Sequence, residues 1–234
     1  MSLVEELAWD SSFFGFPIGK VAEGIAVGDV EAATKEADQH ALRCVYMLVA
    51  ADDHALLDSS QRHGFLVRDV RVELARRVEG HPATLRGLRR GSVDDLERLA
   101  PIARERFAGT RFHADSGFPR GRSADLYVQW LRRGLAGEGS WLALVAEDYS
   151  GFVVCDLGLT SGTGSIGLLG VAADAAGRGV GSSLLAGAGA VFTEAALTTA
   201  QVVTQAHNIA AQRLYQANGY RTARTQVWLH RWRD

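Results

Sequence analysis

One hydrophobic pattern occurs twice along the chain. The segment CVYMLVAADDHALLDSSQRHGFLVRDVRVEL (44–74) aligns without a gap on TAQVVTQAHNIAAQRLYQANGYRTARTQVWL (199–229), at a constant offset of 155. Each copy reads as an apolar strand, a polar turn, a helix, a glycine followed by an aromatic residue, and an alternating strand. Identities are few: Ala51/Ala206, Ala55/Ala210, Gln61/Gln216, Gly64/Gly219, Val72/Val227 and Leu74/Leu229. Gly64 and Gly219 stand where a helix C-cap needs a left-handed residue. The pattern predicts two related α/β halves.

Around the first copy, LAWDSSFFGFPIGKV (7–21) reads as an aromatic-rich loop broken by Gly15 and Pro17 ahead of a strand, and a helix is expected over about 29–42. RRVEGHP (76–82), charged and carrying Gly80 and Pro82, reads as a linker between units 1–79 and 83–234. The second unit opens with a strand, ATLRGLRR. Ser92 can cap a helix whose apolar positions Val93, Leu96, Leu99, Ala103 and Phe107 keep helical spacing, with Pro101 expected to kink or split it. A loop, GTRFHADSGFPRGR, precedes a helix over about 123–135. Three strands follow, SWLALVAED, GFVVCDLGL and SIGLLGVAA, the first two joined by a short turn at 148–151. A glycine turn, a helix and the second copy complete the chain. The order β-α-α-β-β-β-α-β-α-β predicts an α/β class with a mixed sheet and helices on both faces.

Composition narrows the function classes. Hydrophobic residues make up 47% and charged residues 22%, as in soluble globular chains. The 25 Lys and Arg nearly balance 27 Asp and Glu, so no basic surplus favours a nucleic-acid backbone and no nucleic-acid partner is expected. No apolar run approaches the roughly 20 residues that span a bilayer. MSLVEELAWD is acidic where a secretory leader is basic. No membrane partner and a cytoplasmic location are therefore expected. Cys44 and Cys155 read as reduced core residues, and the seven histidines show no paired ligand spacing, so no metal is expected.

The stretch SIGLLGVAADAAGRGVGSSLL (165–185) carries candidate chemistry. An apolar strand delivers the chain to Gly177, Gly179 and Gly181, and a helix starts at once. Glycines let successive backbone N–H groups face one point, and the helix N-terminus adds unpaired donors and a positive dipole end. Such a site suits a pyrophosphate, with Ser182 and Arg178 able to add a hydroxyl and a charge. A tight strand-to-helix connection without any ligand explains the glycines equally well. A Walker A loop needs a Gly-Lys-Ser/Thr end and no lysine is present; GxGxG is also not the dinucleotide fingerprint GxGxxG.

Ala176-Gly-Arg-Gly-Val-Gly181 resembles the Gln/Arg-x-x-Gly-x-Gly/Ala signature of the GCN5-related N-acetyltransferase (GNAT) superfamily, with Ala176 departing from its first position. Asn208-Ile-Ala-Ala-Gln-Arg-Leu-Tyr215 followed by Asn218-Gly219-Tyr220 resembles a later motif of the same superfamily. Together they cover roughly 83–234. Trp9-Asp10-Ser11-Ser12-Phe13-Phe14-Gly15, Thr110-Arg111-Phe112 and Tyr127-x-x-Trp130 are similar to the dTDP-fucosamine acetyltransferase type, which carries a truncated GNAT-like N-terminal half. The first copy has Asp53 opposite Asn208 and Ser60 opposite Tyr215, with no glycine turn ahead of it, so the first half is expected to be a scaffold or substrate wall.

The resemblance implies a GNAT fold with a degenerate N-terminal half. It further implies transfer of an acetyl group from acetyl-CoA to the amine of a nucleotide-linked amino sugar. Tyr215 would be the general acid, since a phenol of pKa about 10 stays protonated at neutral pH and can donate to a departing thiolate. The cofactor side would comprise the strand backbone at Leu169, Gly170 and Val171, the turn Gly177, Arg178, Gly179, Val180, Gly181 and Ser182, and Asn208. In the family, adjacent parallel strands splay apart there. Asp156 and His207 are base candidates, each also read as structural or solvent-facing. Arg111, Phe112, His113, Tyr127 and Trp130 are the acceptor-side candidates; Arg111 and Trp130 read equally well as a surface and a core residue. Trp9, Phe13 and Phe14 are expected to pack between the halves. A different small amine (aminoglycoside or polyamine), a protein N-terminus, or a non-catalytic CoA-binding or interaction module stay open, as does a homodimer.

Overall fold

A computed structural model describes residues 2–79, 85–158 and 161–233. Gly80 and Pro82 of the expected linker, residue 83 at the expected boundary, Thr84, and Leu159 at the end of the expected GFVVCDLGL strand lie outside the described residues.

Among the described residues, ten strands build one mixed sheet: β1 (Val4–Glu6), β2 (Ile18–Val21), β3 (Cys44–Ala50), β4 (Leu66–Arg77), β5 (Leu88–Arg90), β6 (Trp141–Ala146), β7 (Gly151–Asp156), β8 (Thr163–Val171), β9 (Thr199–Gln205) and β10 (Arg221–Trp232). Their spatial order is β1-β2-β3-β10-β4-β9-β8-β7-β6-β5. The helices are α1 (Ala8–Phe14), α2 (Val30–Gln39), α3 (His54–Arg62), α4 (Leu96–Arg106), α5 (Arg111–Ala114), α6 (Arg120–Ala136), α7 (Val180–Glu194) and α8 (Ile209–Ala217).

The two copies exchange their last strands. β10, from the second copy, lies antiparallel against β3 of the first; β4, from the first, lies antiparallel against β9 of the second. The registers are equivalent, because Gln226 faces Ala50 and Arg71 faces Gln205, which the repeat offset interconverts. Between β10 and β4, Arg71 faces its own counterpart Gln226, so a local pseudo-two-fold axis passes there. The repeat identities Val72/Val227 and Leu74/Leu229 follow from this exchange. Val72 and Leu74 bury under α7 and α8, while Val227 and Leu229 bury under α2 and α3. Each such side chain contributes about 1.5–3 kcal/mol by leaving water.

Within each copy the local chemistry matches too. Asp53 caps α3 by accepting from the Leu56 amide at 3.0 Å, and Asn208 caps α8 by accepting from Ala211 at 3.1 Å. Gly64 and Gly219 are left-handed at φ +84° and +86°, which sends the fully buried Phe65 and Tyr220 back under their helices.

Four elements differ from the sequence pattern. The aromatic-rich opening forms α1, in which Trp9 and Phe13 stack one turn apart at 5.2 Å, and Gly15 (φ +82°) ends it. Pro101 does not split α4, which runs through it on an exposed position. Residues 111–114 form a short helix, and α6 starts at Arg120 rather than Ser123, since the Ser123 hydroxyl instead donates to the Phe112 carbonyl at 2.6 Å. A third hydrophobic cluster joins residues that precede the 76–82 stretch in sequence to residues that follow it: Phe14, Cys44 and Tyr46 pack with Leu99, Leu126 and Phe152. Both cysteines are buried and free.

Candidate active site

β8 and β9 run parallel but pair only from Thr163/Thr199 to Ile166/Val202. Beyond that point β8 stays bonded to β7, with Leu169 opposite Val153 and Val171 opposite Gly151. β9 stays bonded to β4, with Thr204 opposite Val72. The two strands therefore splay, and their facing edges present unsatisfied backbone groups. A cavity of about 780 Å³ opens in the gap, lined by Ile166–Leu169, Val171 and Val202–Gln205 among others.

The glycine turn closes one end. Gly177 and Gly179 hold φ +78° and +85°, and a Cβ at either would meet nothing within 4 Å. The Ala176 and Arg178 amides donate within the turn, to Ala173 and Ala175. The amides of Gly177, Gly179, Val180, Gly181 and Ser182 have no acceptor among the described residues, and all five residues line the cavity. The bare nitrogens are thus fewer than the whole 176–182 run, and they sit on the positive end of the α7 dipole. Gly181 has a further role: a Cβ there would lie 2.9 Å from Leu214 Cδ2, so its absence lets α7 approach α8. Ser182 accepts from the Asn218 side-chain amide at 3.2 Å, a second tie between these helices.

α8 brings Asn208 and Tyr215 to the same cavity. The Asn208 side-chain oxygen is engaged in its cap, which leaves its amide nitrogen to point elsewhere. Tyr215 is 5% exposed, and burial raises its phenol well above the ordinary value, so it keeps its proton at physiological pH.

The opposite wall draws on both halves. Arg106, Phe107, Thr110, Arg111, Phe112, Tyr127 and Trp130 come from α4 to α6, while Asp69 and Arg71 come from β4 and Trp228 from β10. Phe107 stacks on the Tyr127 ring at 4.8 Å, and Trp130 meets it edge-on at 5.5 Å. Tyr127 accordingly offers its hydroxyl rather than its face, and burial pushes that phenol up to about 12. Arg111 donates to His230 Nε2 at 2.7 Å, and its guanidinium lies 4.1–4.4 Å from the rings of Trp228, Phe112 and Tyr46.

Several sequence candidates lie off this lining. Asp156, at the end of β7, accepts from the Ser140 hydroxyl and from Gly158 N at 3.1 Å. His207 is exposed beside the rim, close enough to influence Asp69. Arg178 is exposed. Gly170 packs toward the Phe152 ring, and His113 carries a buried Nδ1 without a partner among the described residues.

Asp69, Trp228, His230 and Asp115 are absent from the sequence candidates. Burial raises the Asp69 carboxyl, with His207, the Val70 amide and Arg111 pulling the other way. The signal for His230 lies in WLHRW: Trp228, His230 and Trp232 share one face of a strand, and a lone imidazole between two indoles on an apolar face needs partners. Asp69 carries no comparable mark, since alternating charge on β4 reads as a solvated face. Among the described residues no three His, Cys, Asp or Glu gather as a metal site, and no helix is long and apolar enough to cross a membrane.

The model of the acetyltransferase (GNAT) family matches residues 102–220. No curated protein matches the chain in sequence. A solved GCN5-related N-acetyltransferase from Sphaerobacter thermophilus is similar at 18% identity and a TM-score of 0.62, over 98% of this chain and 76% of that one. One from Kribbella flavida gives 17% identity and a TM-score of 0.58, over 92% of this chain and 81% of the other. A tandem GNAT protein from the clavulanic acid biosynthesis pathway gives 14% identity and 0.55, over 92% and 75%. At these identities the likeness is one of fold.

Proposed function

Because the chain belongs to the acetyltransferase (GNAT) family and is an acyltransferase, we propose that it acetylates the amine of a nucleotide-linked amino sugar, with acetyl-CoA as donor. The carrying observation is that five bare amides at the α7 N-terminus, the open edges of β8 and β9, and the Tyr215 phenol share one cavity. That set fits the donor. The amides and dipole of α7 suit its diphosphate, and the splayed edges suit the amides of its pantetheine arm.

Acetyl-CoA supplies an activated thioester. The amine nitrogen bonds to the acetyl carbon as the carbon–sulfur bond breaks. Asp69 takes the proton that the amine loses, and Tyr215 gives its proton to the sulfur. Burial suits both groups, since it makes Asp69 a stronger base than an exposed carboxylate and keeps Tyr215 protonated. Neither Asp156 nor His207 reaches the lining, which favours Asp69 over both as the proton acceptor. Arg111, Phe112, Tyr127 and Trp130 form the acceptor wall. Residues 83–234 act as the transferase unit, and 1–79 as a degenerate GNAT-like half that supplies Asp69 and Arg71; the tandem GNAT relative of similar fold is in keeping with this division.

Thiol release from acetyl-CoA, followed against dTDP-amino sugars, aminoglycosides, polyamines and peptides, tests the reading. We expect release with the sugar nucleotides. Tyr215→Phe should lower turnover roughly 10- to 1,000-fold with acetyl-CoA affinity nearly kept. Unchanged turnover removes the donor role, and silence across the panel overturns the transferase assignment for this cavity.

A further inference from the structure

Arg111 is a permanent cation set among three aromatic rings, and no carboxylate pairs with it among the described residues. The other two arginines on the lining have partners: Arg71 meets Glu73 at 2.9 Å and Arg106 meets Glu105 at 2.6 Å. Asp10 and Asp69 feel the Arg111 charge without contacting it, and burial raises both carboxyls, which weakens their compensation. A desolvated charge left in this state is unfavourable unless something arrives to neutralise it.

One contact of Arg111 is built with care. Its NH1 lies 2.7 Å from His230 Nε2, and His230 Nδ1 lies 2.6 Å from Asp115 Oδ2. A guanidinium only donates and a carboxylate only accepts, so the imidazole is neutral, with its proton on Nδ1 and its lone pair toward Arg111. Asp115 is fixed in turn by Trp232 Nε1 at 2.9 Å and Gly117 N at 3.0 Å, with Arg68 Nε at 3.0 Å as its ion-pair partner. Arg68 already balances Asp115 and His230 is uncharged, so the Arg111 charge survives at the cavity wall. The neighbouring Thr110 hydroxyl, 4% exposed and on the same lining, has no partner in hydrogen-bonding geometry among the described residues, although it lies near enough to the Tyr127 phenol to influence it.

We infer that Arg111 is the anchor for an oxyanion carried by the acceptor, and that His230 and Asp115 are positioning residues that hold its guanidinium toward the cavity. This rests on the acyltransferase reading and sharpens it. The acceptor is an amine bearing a phosphate or carboxylate, and a polyamine or aminoglycoside is repelled by the same charge. The aromatic rings around Arg111 block its retreat and keep its remaining donors in the plane an oxyanion needs.

The test uses the full chain and matched acceptors: an amino sugar, its phosphate ester, an amino sugar acid and spermidine. The wild type should favour the phosphate or the acid over the neutral sugar by roughly 10- to 100-fold in kcat/KM, the value of a charged hydrogen-bonded contact. The better of the two identifies the oxyanion. Arg111→Met should bring the discrimination to within a few-fold while the KM for acetyl-CoA holds. His230→Phe should raise the KM of the anionic acceptor roughly 10-fold, and His230→Gln, which can accept from Arg111 and donate to Asp115, should recover most of it. A merely structural His230 would lower the melting temperature without moving that KM. Equal use of all four acceptors overturns the inference and leaves the transferase reading standing. If no acceptor is used, a second readout decides: inorganic phosphate should raise Tm in Gly179→Ala, whose α7 amides are misaimed, but not in the double variant Gly179→Ala with Arg111→Met, and an equal rise in both overturns it.

Discussion

At the inner end of the Arg111 contact, Asp115 can only accept and Arg111 can only donate, which gives His230 a single protonation state in the fold. Burial holds its pKa at about 4, with the Arg111 charge adding to that and Asp115 opposing it. Burial alone would raise Asp115, yet donation from His230, Trp232 and the Gly117 amide outweighs it and keeps the carboxyl at about 2. The signs follow. Below pH 6.5 the unfolded chain protonates His230 while the folded chain resists down to about 4, so stability falls across that window, by on the order of 3 kcal/mol for a shift of this size. Asp115 adds stability that persists above its ordinary value and fades only as pH drops toward 2. Urea unfolding of His230→Gln between pH 7 and 4.5 should therefore show a flatter pH dependence than the wild type. An identical slope in both would remove His230 as the source. The histidine was visible in WLHRW, but its partner Asp115 lies 115 residues away in sequence, and no local pattern joins them.

Among elements, the turn before α7 was the most legible. Positive φ at Gly177 and Gly179 is a backbone demand that few residues but glycine meet, so three glycines after a strand already specify a sharp entry into a helix. The caps Asp53 and Asn208 and the left-handed Gly64 and Gly219 were legible for the same reason, since each satisfies a local rule. α1 was not: Gly15 and Pro17 suggest a loop, whereas the Trp9–Phe13 stack and burial of Phe14 against Phe118 at 4.6 Å make the helix. Gly179→Ala should strain the turn by about 1–2 kcal/mol, the cost of a left-handed Ala, and misaim the bare amides. We expect the KM for acetyl-CoA to rise roughly 10-fold, a loss comparable to one charged hydrogen bond, with little change in acceptor KM. Calorimetric titration of acetyl-CoA reads this directly; unaltered affinity would separate the turn from donor binding.

For the whole molecule, strand exchange makes the halves interdependent. In residues 83–234 alone, β9 would lose β4 and β10 would lose both its neighbours. Val72 and Leu74, buried under α7 and α8, would go with β4. Expressed by itself, that segment should fail to form a cooperative near-ultraviolet CD transition, and adding back residues 1–79 as a separate chain should restore one. A stable, sharply melting 83–234 would show that the exchange is dispensable. The repeat announced two related halves, but alignment cannot tell whether a final strand pairs within its own copy or with the other. The same alternation of apolar residues satisfies both.

The chain's own order of residues determined whatever depends on neighbours a few positions apart: strand and helix periods, caps, left-handed glycines, the sharp glycine turn into α7 and the two-copy plan. Those features follow from local sterics and hydrogen bonding, which leave a mark at fixed spacing. Tertiary structure alone decided which strands meet, that β8 and β9 part after Ile166 and Val202, and that Asp69, Arg111, Trp228 and Tyr215 face one cavity. Those outcomes depend on distant surfaces burying one another, and on which charge keeps a partner when they do.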